Sequence, residues 1–237
     1  MKQSLHFLYT RIKKSNITKE QAESKVCQEI LISKIAADTF LKKKVAFKGG
    51  IIIDAIANQK RGYTKDIDFD LIKYPLSKDS LSSFFERMNN KNPFDNIVIK
   101  IESIDELRHK NYRGQRLLLS FSDSIDEYKL TIDVGVYYPL IKQNIKYDYN
   151  IAFGGTAKLS INPVERILAD KLSTIAIYGT DNTREKDIFD IYFFIKNIQF
   201  NRNTVMKMLI KLLVIKLEAF TKRLLTFSDY IYLLCDK

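Results

Sequence analysis

The amino-acid sequence predicts an α/β (α+β) protein with a mixed, mainly antiparallel sheet, flanked by helices and followed by a helical C-terminal part. Residues 45–72 have the pattern of a strand, a helix, a turn and a second strand. Three further strand candidates follow at 97–104, 115–122 and 128–138, and helical patterns dominate after residue 162. Strands are indicated by β-branched and aromatic runs between turn signals, and helices by apolar residues spaced about 3.6 apart.

Composition and charge narrow the class of protein. The chain has 237 residues, of which 46% are hydrophobic and 28% charged, enough for one large domain or two small ones. Its formal net charge of +11 favours polyanionic partners such as nucleic acid or nucleotides. A lysine-rich, AT-biased genome would produce the same excess, so charge alone does not assign a function.

Cysteine and histidine usage argues against several kinds of site. Cys27 and Cys235 have no paired spacing, which fits a reducing cytoplasm and disfavours disulfides or a Cys-rich zinc site. His6 and His109 stand far apart, which disfavours a histidine metal site or a Ser-His-Asp triad. We find no signal-peptide pattern and no run of about 18 apolar residues. We therefore expect a cytoplasmic protein with no membrane partner.

Capping signals and periodicity predict the N-terminal helices. Residues 1–17 are a basic, weakly patterned lead-in. Thr18 and Gln21 form a capping-box pair, so a helix should begin at Thr18. We expect it to continue to about Leu41, where a run of three lysines ends it. Another helix is predicted from about residue 79 to 88.

Helical patterns resume after a short strand pair predicted within residues 151–161. Asn162, Pro163 and Glu165 have the order of an N-cap, a first helical residue and the closing residue of a capping box. A further helix follows, and the apolar, lysine-punctuated tail from Asn203 predicts an amphipathic helix.

A glycine pair opens the helix of the strand–helix–strand unit. Lys48, Gly49 and Gly50 lie between the first strand and an apolar helix. Backbone N–H groups at such a turn can hold phosphate oxygens at the positive end of a helix. A glycine pair before a helix is also often an ordinary turn, so this feature does not assign a site by itself.

Two acids follow on the second strand of the unit. Asp66 and Asp68 project from the same face, because residues two apart on a strand point the same way. Ile67 and Phe69 then point into the core. Neighbouring carboxylates repel each other and need a cation between them on a buried face. A lone Asp-x-Asp is more often a solvated edge, but beside the glycine pair it favours phosphoryl or nucleotidyl transfer.

The order of these motifs resembles a known superfamily. Gly-Gly, a helix and then Arg-x-x-Thr-x-Asp-Ile-Asp-Phe is similar to the first motif of DNA polymerase β-type nucleotidyltransferases, and within them to the AbiEii/AbiGii branch of abortive-infection and toxin–antitoxin toxins. The resemblance covers residues 45–195. It implies a nucleotidyltransferase core over 1–157, with the N-terminal helix, and a helical C-terminal subdomain over 158–237 that closes the nucleotide site. The 15 residues between Gly50 and Asp66 exceed the spacing in many such enzymes.

A third acid interrupts the last central strand. Asp133 lies within a run of β-formers, where an aspartate is disfavoured and needs a hydrogen bond or a metal. The resemblance implies that Asp66, Asp68 and Asp133 bind two Mg²⁺ ions, which suit carboxylate and phosphate oxygens. A structural aspartate remains the alternative for Asp133.

The C-terminal half carries two further motifs of the resembled family. Lys171 lies in Ala-Asp-Lys-Leu, where the resemblance implies contact with a nucleoside triphosphate. Asp187 lies in Arg-x-Lys-Asp-x-x-Asp, where it implies an active-site acid. The alternatives are a solvent-facing lysine and an ordinary ion-paired first turn. The implied nucleotide-binding residues are Lys48, Gly49, Gly50, Arg61, Thr64 and Arg184.

The resemblance implies metal-dependent transfer of a nucleoside monophosphate from an NTP to an acceptor hydroxyl. The charge of +11 favours RNA or tRNA as that acceptor. The resemblance also implies a toxin with a cognate antitoxin. A catalytically silent protein on the same fold, which binds nucleic acid or a protein partner, remains the alternative function.

Overall fold

A computed structural model gives the architecture of the chain. The structure describes residues 3–13, 17–56, 64–90, 93–107, 114–136, 145–178, 185–215 and 217. The strands in these ranges are β1 Val45–Lys48, β2 Ile67–Leu71, β3 Val98–Glu106, β4 Gly114–Ser122, β5 Glu127–Val136, β6 Ile145–Asn150 and β7 Thr156–Ile161. The helices are α1 Leu5–Ile12, α2 Lys19–Ala37, α3 Leu41–Lys44, α4 Gly50–Ile56, α5 Lys78–Asn89, α6 Val164–Tyr178, α7 Glu185–Asn197 and α8 over 202–215.

The strands form one mixed sheet in the order β3-β4-β5-β2-β1-β7-β6. β2 pairs with β5 and β1 with β7 in parallel, whereas β1–β2, β3–β4, β4–β5 and β6–β7 are antiparallel. The predicted mixed, mainly antiparallel sheet is therefore confirmed. The three predicted strands after residue 96 agree with β3, β4 and β5 to within two residues.

The described residues form two compact units. The first contains the residues up to 136 and 145–162, with the whole sheet and α1 to α5. The second contains the residues from 163 onward, with α6, α7 and α8. The boundary expected after residue 157 stays a prediction; residues 156–161 form β7, which pairs with β1 and β6. No helix within the described residues is long and apolar enough to cross a membrane.

Alternating residues of the central strands form the core of the first unit. Ile67 and Phe69 on β2 are 0% and 1% exposed, as predicted from their spacing. The Phe69 ring lies 5.9 Å from Phe47 on β1 and 6.4 Å from Phe84 on α5, centroid to centroid. These aromatic contacts attach α5 to the middle of the sheet.

The N-terminal predictions are partly wrong. The capping box of Thr18 and Gln21 is present, but α2 ends at Ala37 rather than near Leu41. The Asp38 carboxylate accepts hydrogen bonds from the N–H groups of Phe40 (2.7 Å) and Leu41 (3.0 Å), which turns the chain before α3 begins. The three lysines therefore lie inside α3. The supposed lead-in contains α1, capped by Ser4.

Two predictions around the hairpin of β6 and β7 are also wrong. The strand pair was expected within residues 151–161, but β6 precedes that range and residues 151–155 form the turn. Asn162 does not cap α6: both polar atoms of its side chain are buried with no hydrogen-bond partner among the described residues. Its backbone N–H instead donates to Phe47 O at 2.9 Å and extends the sheet. Glu165 accepts from the N–H of Asn201 at 3.0 Å.

One carboxylate joins α1 to the turn between β4 and β5. Asp123 accepts hydrogen bonds from the N–H groups of Leu5 (2.7 Å), Ile125 (2.8 Å) and Asp126 (2.8 Å). Burial alone would raise the pKa of Asp123, but the N–H donors of Asp126, Leu5 and Ile125 outweigh it and hold the pKa below its ordinary value. A lowered carboxyl pKa stabilises the fold above the unfolded pKa, and this stability is lost as pH falls through the folded pKa.

We expect Asp123→Asn to lower the free energy of unfolding at pH 7 by about 1–3 kcal/mol, since three N–H donors lose a charged acceptor. The difference from the wild type should begin to shrink below about pH 4, where the carboxyl becomes protonated in the unfolded state, and should disappear once pH falls through the lowered pKa of the folded state. Urea denaturation followed by circular dichroism at pH 7 and at a series of pH values below about 4 measures both effects. Asp126→Asn removes the same charge from the same turn and should change stability by less than about 0.5 kcal/mol. An equal effect of the two variants would contradict this role of Asp123.

Candidate active site

Four neighbouring strands carry a row of charged residues on one face of the sheet. Lys48 on β1 is the register partner of Asp68 on β2, which is the partner of Asp133 on β5, which is the partner of Arg116 on β4. Register partners on adjacent strands point to the same face. We call Lys48, Asp68, Asp133 and Arg116 the charge row. Its two carboxylates lie side by side, with a cation beyond each of them.

The opposite face of the same strands is apolar and fixes the register. Phe47 is the partner of Phe69, and Phe69 is the partner of Val134. All three are at most 1% exposed. A slip of one residue would move this buried set to the other face. The packing of the apolar face therefore holds Asp68 and Asp133 together in spite of their mutual repulsion.

Asp133 is held by a two-pronged hydrogen bond from Arg116. Arg116 Nε donates to Asp133 Oδ1 at 2.8 Å, and Nη2 donates to Oδ2 at 3.2 Å. The Asp133 side chain is 11% exposed and that of Arg116 54%. The hydrogen bond and charge of Asp133 raise the pKa of Arg116, and the charges of Asp66 and Asp68 add to this. The guanidinium therefore interacts electrostatically with all three predicted metal ligands.

The glycine turn lies against Asp68. Gly49 has a φ of +70°, in the left-handed region that favours glycine. A Cβ atom on Gly49 would lie 2.2 Å from Asp68 Oδ2, which is impossible without movement. Only glycine allows the backbone of this turn to approach the carboxylate so closely.

A second acid on β2 was not predicted. Asp70 lies two residues after Asp68, so both point to the same face. Its carboxylate forms an ion pair with Lys48, and the two side chains are only 3% and 13% exposed. Lys48 therefore neutralises a buried carboxylate. The alternation Asp66, Asp68, Asp70 was the sequence signal for this residue. Arg116 gave no such signal, because its role follows only from strand pairing.

The remaining predicted residues of the first unit lie at its margin. Asp66 is exposed and precedes β2 by one residue. Thr64 contributes through its backbone: its N–H donates to Asp54 Oδ2 at 3.1 Å, and its C=O accepts from Gln28 Nε2 at 2.9 Å. In the ranges that the structure describes, no group of three His, Cys, Asp or Glu side chains is arranged to hold a metal ion. The predictions for Arg61 and Arg184 lie outside the described residues.

The second unit contains a separate ion-pair cluster. Lys171 Nζ on α6 lies 2.5 Å from Asp187 Oδ1 and 2.8 Å from Asp190 Oδ2, both on α7. Asp187 and Asp190 share one face of α7, as their spacing predicted. Asp190 is 0% exposed, whereas the side chains of Asp187 and Lys171 are 21% and 15% exposed. The lysine therefore neutralises a buried acid and attaches α6 to α7.

We expect Gly49→Ala to lower the free energy of unfolding more than Gly155→Ala does. Gly155 also has a positive φ, +87°, but an added Cβ there meets no atom within 4 Å. Both variants should lose about 1–2 kcal/mol from backbone strain. Gly49→Ala should lose about 1–3 kcal/mol more, because the Asp68 side chain must shift. Chemical denaturation of both variants measures the difference, and equal losses would contradict the close packing of Gly49 on Asp68.

We expect Lys171→Met to destabilise the second unit by on the order of 3 kcal/mol, because the buried Asp190 carboxylate loses its lysine. Asp187→Asn should cost less, about 1 kcal/mol, since Asp187 is more exposed than Asp190. Urea denaturation followed by circular dichroism measures both values. A Lys171→Met variant as stable as the wild type would show that the lysine is not a structural counterion.

The sequence and the fold are similar to those of known proteins. The sequence matches the family described as "Nucleotidyl transferase AbiEii toxin, Type IV TA system" over residues 30–229. No curated protein matches the chain. A protein from H. pylori, described as a candidate nucleotidyltransferase, is similar in structure with a TM-score of 0.51 and 17% identity, covering 81% of this chain and 76% of that one. This likeness shows the fold alone.

Two other solved structures are less similar. JHP933 from Helicobacter pylori has a TM-score of 0.43 and 17% identity, with 85% of this chain and 96% of that one covered. The antibiotic-resistance factor ANT(2'')-Ia has a TM-score of 0.46 and 15% identity, with 87% and 97% covered. The α/β fold with a mixed sheet expected from the sequence is confirmed, and the candidate nucleotidyltransferase from H. pylori is similar to it. Because the family match covers residues 30–229 of 237, the chain belongs to the AbiEii family of nucleotidyltransferase toxins of type IV toxin–antitoxin systems.

Proposed function

We propose that this nucleotidyltransferase moves a nucleoside monophosphate from an NTP to an acceptor hydroxyl, in a reaction that requires a divalent cation. The observation that carries the proposal is the in-register pair of Asp68 and Asp133 beside the glycine turn. Carboxylates on neighbouring strands, next to backbone that can hold phosphate, supply the two binding functions that nucleotidyl transfer needs.

The donor set suits a cation such as Mg²⁺. Aspartate carboxylates are hard oxygen donors, which Mg²⁺ prefers. Asp68 and Asp133 would hold the cation, and Asp66 is the third candidate ligand by family resemblance. When bound, Mg²⁺ supplies neutralisation of phosphate charge and a lowered pKa for the acceptor hydroxyl. Two ions are the expected number in this superfamily, by the resemblance.

The chain's own residues then bind and orient the substrate. The backbone of Gly49 and Gly50 would hold phosphate oxygens, and it can do so close to Asp68 because Gly49 lacks a Cβ. Lys48 supports this arrangement by forming an ion pair with Asp70, which points to the same face of β2 as Asp68. For the residues Lys171, Asp187, Arg61, Thr64 and Arg184, a role toward the triphosphate rests on the family resemblance alone.

RNA, and tRNA in particular, is the acceptor that we propose. The formal charge of +11 supports a polyanionic partner. Family membership supports a cognate antitoxin as the protein partner. We place the reaction in the cytoplasm, where NTPs and tRNA are available.

Incubation with each α-³²P-labelled NTP, Mg²⁺ and total bacterial RNA tests the proposal. We expect label on a discrete RNA band, and its loss by at least about a hundredfold in Asp68→Asn and in Asp133→Asn, since each removes a carboxylate that would hold the cation. EDTA should abolish transfer in the wild type. The Glu106→Gln variant, which removes an exposed carboxylate from β3, is the control and should retain transfer to RNA.

Other results would change parts of the proposal separately. Label on protein instead of RNA would keep the chemistry and replace the acceptor. Transfer that persists in EDTA would overturn the cation requirement. No transfer to any acceptor, together with no NTP binding by calorimetry, would overturn the proposed reaction and favour a catalytically silent binding protein.

A further inference from the structure

The two cations of the charge row differ in their freedom to move. Lys48 and its partner Asp70 are 13% and 3% exposed, so this ion pair is fixed inside the protein. The Arg116 side chain is 54% exposed, although its partner Asp133 is only 11% exposed. A long, largely solvated side chain can leave its partner without repacking the core. Of the two, Arg116 is the cation that can be displaced.

Arg116 contacts both oxygens of Asp133, one of the two carboxylates that would hold the cation. The guanidinium donates to Oδ1 and to Oδ2, so both carboxylate oxygens are engaged at once. A divalent cation at the same carboxylate would also be repelled by the guanidinium charge. Binding of the cation and binding of Arg116 to Asp133 therefore oppose each other.

A second carboxylate lies in register with Arg116 on its other side. Asp105 on β3 is the partner of Arg116 on β4, just as Asp133 is its partner on β5. Asp105 is exposed, and its Oδ2 accepts a hydrogen bond from Ser103 at 3.3 Å. Opposite charges in register across a strand pair attract each other. Arg116 thus has a carboxylate to move to when it leaves Asp133.

We propose that Arg116 is a displaceable counterion: it occupies Asp133 in the metal-free protein and moves toward Asp105 when a divalent cation binds. This inference rests on the proposed role of Asp68 and Asp133 as ligands of that cation. Arg116 stabilises the neighbouring carboxylates before the substrate arrives, and it lowers the affinity for a free divalent cation. It is a positioning residue and not a ligand of the metal.

Binding of Mn²⁺, measured without nucleotide by the loss of its free electron paramagnetic resonance signal, tests the inference. Arg116→Gln should bind Mn²⁺ about tenfold more tightly than the wild type, because a positive charge beside the site is removed. Arg116→Lys keeps that charge and should bind about as the wild type does. Asp105→Asn should bind about threefold more weakly, since the displaced guanidinium loses its second acceptor.

Two control variants and a comparison of melting temperatures separate this role from a structural one. Glu106→Gln removes a neighbouring exposed charge from the opposite face of β3 and should leave Mn²⁺ affinity unchanged. Arg87→Gln breaks another arginine–aspartate pair, Arg87 Nε to Asp38 Oδ2 at 2.9 Å, and should also leave it unchanged. Arg116→Gln should lower the melting temperature in EDTA and lose most of this deficit in Mn²⁺. Arg87→Gln should lower the melting temperature equally in both conditions.

The outcomes distinguish failure of the inference from failure of the proposed function. In one outcome, wild-type Mn²⁺ binding depends on Asp68 and Asp133 while Arg116→Gln binds Mn²⁺ no more tightly than the wild type. That result overturns the inference about Arg116 and keeps the proposed metal site. If neither the wild type nor Arg116→Gln binds Mn²⁺, both ideas are overturned. An unchanged affinity in Asp105→Asn overturns the movement toward β3.

Discussion

Repulsion between Asp68 and Asp133 is the interaction on which the site depends. The parallel register of β2 and β5 makes the two acids direct neighbours, and that register is fixed by buried apolar residues on the opposite face. Hydrophobic burial in the core is strong enough to hold the carboxylates together, but their charge still has to be compensated. Arg116 compensates part of it from β4, and Lys48 neutralises Asp70 beside them.

The glycine turn and the first acid of this pair form one packed unit. Asp68 Oδ2 occupies the space where any other residue at position 49 would place its Cβ. The turn after β1 therefore lies closer to β2 than a residue with a Cβ atom would allow. As a result, a substrate phosphate held by this backbone would lie beside a carboxylate. The phosphate and the carboxylate would both be negative and would repel each other at close range. The close packing of the turn on Asp68 therefore favours a cation between them.

Local features of this site could be predicted from the sequence, and pairings could not. Strand alternation correctly placed Ile67 and Phe69 in the core, with Asp68 on the opposite face. The partners of Arg116 follow from the register of β3, β4 and β5, which single-strand patterns do not encode.

The helix errors have the same origin. Helix α1 was missed because it is short, and Asp123, 118 residues away from Leu5, holds its first turn. The end of α2 was misplaced because the Asp38 carboxylate caps the chain at Leu41.

Charge pairing, in contrast, can be argued once the strand pairings are known. Among the described residues around the charge row, Lys48 is paired with Asp70 and Arg116 with Asp133. A triphosphate is itself strongly anionic, so its approach to Asp68 and Asp133 would be opposed by repulsion unless a divalent cation accompanied it. That repulsion is the physical reason to propose metal dependence.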